Sequence, residues 1–135
     1  MVNTELLLAE IDNSHSIAND ALKNRMFENY IDVFGDDLKY KQLDGKIIDK
    51  ARLSTDIKFY FNRVINYTSS FDRLSFMIEK DVIIEELIQH ASISLKVFFF
   101  FSKTWKVQRK GIYKWKSIDN SWKIINVEIL EEKIT

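Results

Sequence analysis

Residues 104–130 read TWKVQRKGIYKWKSIDNSWKIINVEIL, two runs rich in Trp, Tyr, Val and Ile on either side of the turn-forming residues 117–121. This arrangement predicts a β-hairpin. Side chains alternate between two faces in the first run, and one face would carry Trp105, Val107, Arg109, Gly111, Tyr113 and Trp115. An isolated hairpin is only marginally stable in water, so we expect the rest of the chain to cover this aromatic face.

The composition indicates a globular protein. The chain has 135 residues, of which 46% are apolar and 30% charged, and we expect a single domain over residues 1–135. Its 20 basic and 20 acidic residues balance, so no overall field favours nucleic acid or an anionic membrane. The absence of cysteine excludes disulfides, thiolate metal sites and a cysteine nucleophile.

The first residues, MVNTELLLAEIDNS, carry acids where a signal peptide needs bases. No segment has the length of apolar sequence that crosses a bilayer. These features predict a soluble, cytoplasmic protein.

An apolar stripe with helical spacing predicts an amphipathic helix over residues 4–24, with Asn3 or Thr4 as its cap. The stripe consists of Leu8, Ile11, His15, Ala18 and Leu22. His15 lies in the middle of this stripe. It is either a core histidine bonded to a backbone carbonyl or a polar group that faces a pocket.

The next segments predict a second short helix ending at Gly35, a strand over residues 38–43 and a tight turn at Asp44-Gly45. Residues 46–53 could return from that turn as a strand. Ser54 is suited to cap a third helix that ends near Asn66.

Residues 71–79 and 82–97 are rich in Ile, Val and Phe and predict two strands. In the second strand Glu85 and Gln89 interrupt the apolar face, which suggests a β-bulge. His90 falls on the more polar face, where we expect it to be exposed.

Residues 98–101 are four consecutive phenylalanines, which put rings on both faces of an extended segment. In a lone monomer such a run favours aggregation. Either the chain covers both faces itself, or one face meets a second copy. We favour a homodimer through the sheet.

Helices followed by a long curved antiparallel sheet define an α+β cone, in which the N-terminal helices pack in the concave face of a curved, mostly antiparallel β-sheet. This pattern resembles the nuclear transport factor 2-like superfamily, which includes ketosteroid isomerases and SnoaL-like cyclases. The resemblance covers almost the whole chain and rests on the helices of residues 6–34, the segment Phe34-Gly35-Asp36-Asp37, and the closing hairpin with Gly111, Trp115 and Trp122-Lys123-Ile124.

The resemblance implies a deep apolar pocket but leaves enzymatic activity undecided. Aligned with the ketosteroid isomerase pattern, Gln42 takes the place of the carboxylate base, Ala18 that of the oxyanion-hole tyrosine, and Gly111 that of the hydrogen-bonding acid. Proton abstraction beside a carbonyl needs a base and an oxyanion donor. This isomerase chemistry is therefore not expected, and we assign no catalytic residue.

Arg109 and Tyr113 share the pocket face with Gly111. A guanidinium on that face needs either an internal partner, such as Glu128 or Glu85, or an anionic ligand. The lysines of the opposite face, Lys106, Lys110, Lys114 and Lys116, fit a salt-bridged solvated surface better than a nucleic-acid site. No metal-ligand spacing and no phosphate loop occur, so no cofactor is predicted.

These observations predict a domain that binds a small apolar or carboxylate-bearing ligand. The candidate polar contacts to this ligand are His15, Gln42, Arg109 and Tyr113. One alternative is a SnoaL-like cyclase, isomerase or lyase that uses His15 to move a proton. Another is a protein-interaction module that dimerises through residues 98–101.

Overall fold

The computed structural model describes residues 3–98 and 101–135. These residues form α1 (Thr4–Lys23), α2 (Phe27–Ile31), β1 (Phe34–Lys41), β2 (Ile47–Ile48), α3 (Lys50–Phe61), β3 (Val64–Glu79), β4 (Val82–Phe98), β5 (Phe101–Ile118) and β6 (Ser121–Ile134). The helices come first and the long strands follow, as the sequence predicts.

One curved sheet of six strands holds the fold together, in the order β2-β1-β6-β5-β4-β3. Every neighbouring pair is antiparallel except β1 and β6, which run parallel. The helices pack on the concave face. The predicted α+β cone with a mostly antiparallel sheet is therefore confirmed.

The hairpin predicted from residues 104–130 is β5 and β6. Its two turn residues, Asp119 and Asn120, both have positive φ angles, 52° and 64°, which match the mirror-image turns that suit the twist of paired strands. Trp115 is fully buried on the concave face. The alternation read from the sequence therefore assigns this face correctly.

The helix caps explain where the helices begin. The Asn3 side chain accepts a hydrogen bond from the Leu6 backbone N–H and caps α1. Asp49, not Ser54, caps α3 through the Arg52 backbone N–H. The predicted start of this helix was therefore wrong by about one turn. No helix within the described residues is both long and apolar enough to cross a membrane.

The third helix also ends earlier than predicted, at Phe61, and β3 begins at Val64 rather than at Phe71. The β-bulge predicted in β4 lies in its neighbour instead. Pairing with β4 shifts between Arg73 and Ser75 of β3, while β4 pairs with β5 in continuous register past Glu85.

The core lies between α1 and the concave face of the sheet. Its fully buried members are Ile11 of α1, Ile83 of β4, Trp115 of β5 and Val127 of β6. Alternate residues of a strand point to the same face, and each of these strand residues points toward α1. Together they form one apolar layer against the helix. The same alternation places Glu85 in this layer.

The phenylalanine run lies where β4 ends and β5 begins. Phe99 and Phe100 lie outside the described residues, so the interpretation of this run stays a prediction. Phe101 opens β5 and its side chain is exposed.

Candidate functional site

Two adjoining cavities lie between the helices and the concave face of the sheet. The His15 cavity has a volume of about 330 Å³ and is lined by His15, Asn19 and Tyr113 among others. The Arg109 cavity has a volume of about 510 Å³. Leu22, Tyr30 and Gln89 line both, so the two cavities share a wall.

A buried carboxylate anchors one side of the His15 cavity. Glu85 is fully buried, and its Oε1 lies 2.5 Å from His15 Nε2. Trp115 Nε1 donates to the same oxygen at 2.8 Å. Arg73 Nε donates to Oε2 at 3.0 Å. Both oxygens of Glu85 are therefore hydrogen-bonded, which is the condition for keeping a charge inside a core.

The hydrogen bonds determine the protonation of Glu85. Burial alone would raise the pKa of this carboxyl, but the hydrogen bond and charge of His15, followed by the hydrogen bonds of Trp115 and Arg73, outweigh it and lower the pKa. Glu85 is consequently an ionised acceptor at neutral pH. His15 must then donate through Nε2, and Nδ1 is the ring nitrogen that does not contact the carboxylate.

The His15 ring is held in place on its faces as well as at Nε2. Its centroid lies 4.5 Å from that of Phe71 and 5.1 Å from that of Trp115. Its side chain is 15% exposed. Among the described residues, no hydrogen bond reaches Nδ1. Of the two alternatives for His15, the backbone carbonyl is not its partner, because Nε2 is bonded to a carboxylate from the sheet, and the ring also lines the cavity.

Arg73 extends the cluster to the surface of α1. Its Nη2 donates to Asp12 Oδ1 at 2.7 Å, and its guanidinium lies over the rings of Phe71 and Phe76. Burial would lower the pKa of Arg73, but the hydrogen bonds that it donates to Asp12 and Glu85 raise it. The cation therefore compensates the buried charge of Glu85 and ties β3 to α1.

Asn19 lies one turn after His15 on the same face of α1. Its side-chain oxygen accepts a hydrogen bond from the Ser69 hydroxyl of β3. Both residues line the His15 cavity. Among the described residues, the amide N–H bonds of Asn19 have no partner. Asn19 and His15 thus have the same arrangement: one heteroatom is bound to the sheet and the other is left over.

Arg109 is paired within the chain. Its Nε and Nη2 lie 2.8 and 2.7 Å from Glu132 Oε2. The partner is therefore neither Glu128 nor Glu85, the carboxylates suggested by the sequence. Burial would lower the pKa of Arg109, but Tyr40 and Glu132 raise it, so the guanidinium stays charged.

All five tyrosines of the chain border these cavities or a separate pocket beside Arg109 and Glu132. They are Tyr30, Tyr40, Tyr60, Tyr67 and Tyr113. Burial raises the pKa of each one, so all are neutral phenols at physiological pH. Tyr67 accepts a hydrogen bond from Gln89 Nε2 at 3.2 Å, whereas the buried Tyr60 hydroxyl has no partner among the described residues.

The structure brings three of the four predicted contact residues to the two cavities. His15 and Tyr113 line the His15 cavity, and Arg109 lines the other. Gln42 lies beside the β1–β2 turn, in a separate shallow pocket that it shares with Arg109 and Glu132.

The positions compared with ketosteroid isomerases are also placed. Ala18 lines the His15 cavity. Gly111 is buried and lacks space for a side chain, since a Cβ there would lie 3.2 Å from the Glu128 backbone oxygen. No hydrogen-bonding acid could take the place of Gly111 without moving the backbone of β6.

The sequence did not predict four residues of this site as site residues: Glu85, Gln89, Asn19 and Ser69. The sequence did carry a signal for two of them, because Glu85 and Gln89 are polar residues at positions of β4 that otherwise form an apolar face. Asn19 had a weaker signal, its i, i+4 spacing from His15. Within the described residues, no group of three or more His, Cys, Asp or Glu could hold a metal ion.

Comparison with known proteins identifies the class of fold. No protein-family model matches the chain, and no curated protein matches it significantly. A conserved protein from Planctomyces limnophilus matches with a TM-score of 0.85 at 10% identity, over 97% of this chain and 99% of that one. A nuclear transport factor 2-like protein from Cytophaga hutchinsonii matches at 0.67 and 16% identity, over 96% and 98%.

A third structure, a hexachlorocyclohexane dehydrochlorinase, matches with a TM-score of 0.71 at 9% identity, over 96% of this chain and 89% of that one. Identities this low establish the fold alone. The chain therefore has the nuclear transport factor 2-like fold that its sequence resembles, a fold that includes both ligand-binding proteins and enzymes.

Proposed function

We propose that this chain binds a small, mostly apolar ligand in the His15 and Arg109 cavities. The observation that supports this proposal most directly is the pair of adjoining cavities. Their volumes, about 330 and 510 Å³, lie in the range of small-molecule sites. Apolar side chains such as Ile93, Leu95 and Trp105 form most of the wall of the larger one.

A few polar groups would orient the ligand. His15 and Tyr113 would contact it in the first cavity and Arg109 in the second. Gln42 would contact only a ligand long enough to reach the β1–β2 turn. Because Glu132 already neutralises Arg109, a carboxylate on the ligand would have to compete with an internal ion pair.

Thermal-shift measurements with apolar and carboxylate-bearing compounds test this proposal. Ile93→Trp places an indole in the Arg109 cavity and should abolish the ligand-induced rise in Tm. Thr104→Trp is the matched control, because Thr104 is exposed on the opposite face of the sheet and should leave the rise intact. A crystal structure in which the protein's own side chains fill both cavities would overturn the proposal.

A second candidate function is proton transfer on the bound ligand by a cyclase, isomerase or lyase. The observation that favours it is the pairing of His15 with Glu85. An ionised carboxylate that holds one imidazole nitrogen fixes the tautomer and stabilises the imidazolium formed when the other nitrogen takes a proton. His15 would thereby act as a general base through Nδ1.

Deuterium exchange tests the catalytic candidate without knowledge of the natural substrate. Acetophenone has an apolar ring and an acidic methyl group beside a carbonyl, and mass spectrometry would follow uptake of deuterium from D2O. We expect the wild type to accelerate exchange and His15→Ala to abolish the acceleration while still binding the ketone. Equal exchange by both proteins would rule out His15 as the base.

We also propose that two copies associate through the sheet. Support comes from the convex face, where half-buried Ile84, Ile88 and Ile112 lie among charged residues of both signs. Lys110 and Glu86 form an ion pair there, with 3.4 Å between Nζ and Oε1. A two-fold contact could place such charges opposite their complements.

A further inference from the structure

We infer that a second site, beside the β5–β6 turn, binds a neutral saccharide. It is a depression of about 530 Å³, which we call the Trp122 site, between α1, the α2–β1 connection and the turn. It shares no described residue with the His15 cavity or the Arg109 cavity. The inference is therefore independent of the function proposed for those cavities.

The wall of the Trp122 site is mostly polar, unlike the walls of the concave cavities. Amides and hydroxyls are its main polar groups: Asn13, Asn29, Asn120, Ser14, Ser117 and Ser121. Such groups both donate and accept hydrogen bonds, as the hydroxyls of a sugar do. Within residues 3–98 and 101–135, the side chains of Asn13, Ser117 and Ser121 make no hydrogen bond, so they are available to a ligand.

Trp122 supplies the apolar surface that a sugar ring needs. Its Nε1 donates to Glu10 Oε2 at 2.7 Å, which holds the indole of β6 against α1. The indole is half-buried, packs against the core and lines the site. The C–H face of a pyranose stacks on such a ring through dispersion and burial of apolar surface, while the hydroxyls at its edge need polar partners.

The charges in the site favour a neutral ligand. Lys123 Nζ is already bound within the chain, 2.5 Å from the Asp32 backbone oxygen and 3.2 Å from Asp32 Oδ2. An anionic ligand would therefore meet the carboxylates of Glu10 and Asp32 without a free cation in the wall, and like charges repel. A sugar hydroxyl can instead donate a hydrogen bond to either carboxylate.

Proton–nitrogen correlation NMR of the indole N–H groups tests the inference, because each of the three tryptophans gives its own signal. The probes are the methyl glycosides of glucose, galactose, mannose and N-acetylglucosamine. We expect at least one of them to shift the Trp122 signal in a saturable way. The Trp115 signal should not move, since that N–H is bound to the buried Glu85. Trp122→Phe assigns the signal by removing it.

Two variants then locate the binding. Asn13→Ala and Ser121→Ala should each weaken binding of the active glycoside roughly 3–10-fold, since each removes a side chain that can bond to a sugar hydroxyl. Neither change should lower Tm, because neither side chain has a partner among the described residues. Asn66→Ala is the matched control, because Asn66 is exposed on β3, outside the site.

Three results would each overturn the inference. The first is a panel in which no glycoside shifts the Trp122 signal. The second is an equal shift of all three indole signals, or the same shift with glycerol at the same concentration, which would show an effect of the solvent. The third is unchanged affinity in both Asn13→Ala and Ser121→Ala. None of these results affects the proposed function of the concave cavities.

Discussion

Glu85 is the residue on which the interior chemistry depends. It is a fully buried charge that links an imidazole, an indole and a guanidinium, and these groups come from α1, β5 and β3. Removing one member of such a buried cluster usually destabilises a protein strongly, because the remaining charge is left buried without a partner. This loss of stability is usually larger than the stability that the whole cluster provides relative to apolar residues in the same place. The residue therefore couples the stability of the fold to the structure of the candidate site.

We predict that Glu85→Gln lowers the free energy of unfolding at pH 7 by about 2–4 kcal/mol, because His15 and Arg73 lose a buried anion. The pKa of Glu85 is lowered from its ordinary value of 4.5. As the pH falls, the unfolded chain therefore takes up a proton first, and the stability contributed by Glu85 is lost below about pH 4.5.

Urea unfolding of wild type and variant between pH 7 and pH 3 measures this difference. The difference in the free energy of unfolding between wild type and Glu85→Gln should decrease as the pH falls through the folded pKa of Glu85. The other carboxylates titrate in both proteins and cancel in the comparison. A gap that stays constant down to pH 3 would contradict the lowered pKa.

The sequence located this residue without explaining it. Alternation along β4 marks Glu85 and Gln89 as polar positions on an apolar face, a pattern that predicts a bulge rather than a buried carboxylate. The partners of Glu85 could not be predicted, because His15 lies 70 positions away and strand periodicity gives a face but not a neighbour. The same limit hid the contact between Asn19 and Ser69.

The hairpin of β5 and β6 is the element that was predicted best. Trp, Tyr, Val and Ile with a period of two identify the strands, and the cluster of turn residues identifies the connection. The start of α3 was predicted wrongly because Asp49 and Ser54 are both good cap residues. In the structure the Ser54 hydroxyl instead donates to the Lys50 backbone oxygen inside the helix.

We predict that Asn120→Gly stabilises the protein by up to about 1 kcal/mol, because Asn120 has a φ angle of 64° and glycine adopts positive φ without strain. Asn120→Val should destabilise by a similar amount or more. Thermal unfolding of both variants measures the two effects. A lower Tm for Asn120→Gly would show that its side chain stabilises the turn.

At the scale of the whole molecule, the cone follows from the order of its elements. The sequence predicts both this order and the packing of the N-terminal helices in the concave face of the sheet. The parallel pairing of β1 with β6 was not predicted, since parallel partners leave no turn signal between them. The two cavities likewise required coordinates, because their walls combine residues from all three helices and five strands.

We predict that the wild type is a dimer in solution and that Phe99→Glu and Phe100→Glu shift it toward the monomer, since a charge is costly in an apolar contact. Static light scattering over a range of concentrations measures the mass. Asn13→Glu adds the same charge on the exposed face of α1 and should remain dimeric. A monomeric wild type, or dimeric phenylalanine variants, would contradict association through this segment.

The parallel pair of β1 and β6 has a consequence for synthesis. Phe34 faces Ile124 across this pair, and the Ile124 backbone N–H donates to the Val33 oxygen at 2.9 Å. A ribosome releases β1 long before β6 emerges. The apolar side chains of Val33, Phe34 and Leu38 therefore lack their contacts with β6 until that strand has been synthesised. Nascent chains stalled before β6 should therefore recruit chaperones, and the cone can close only after β6 has left the ribosome.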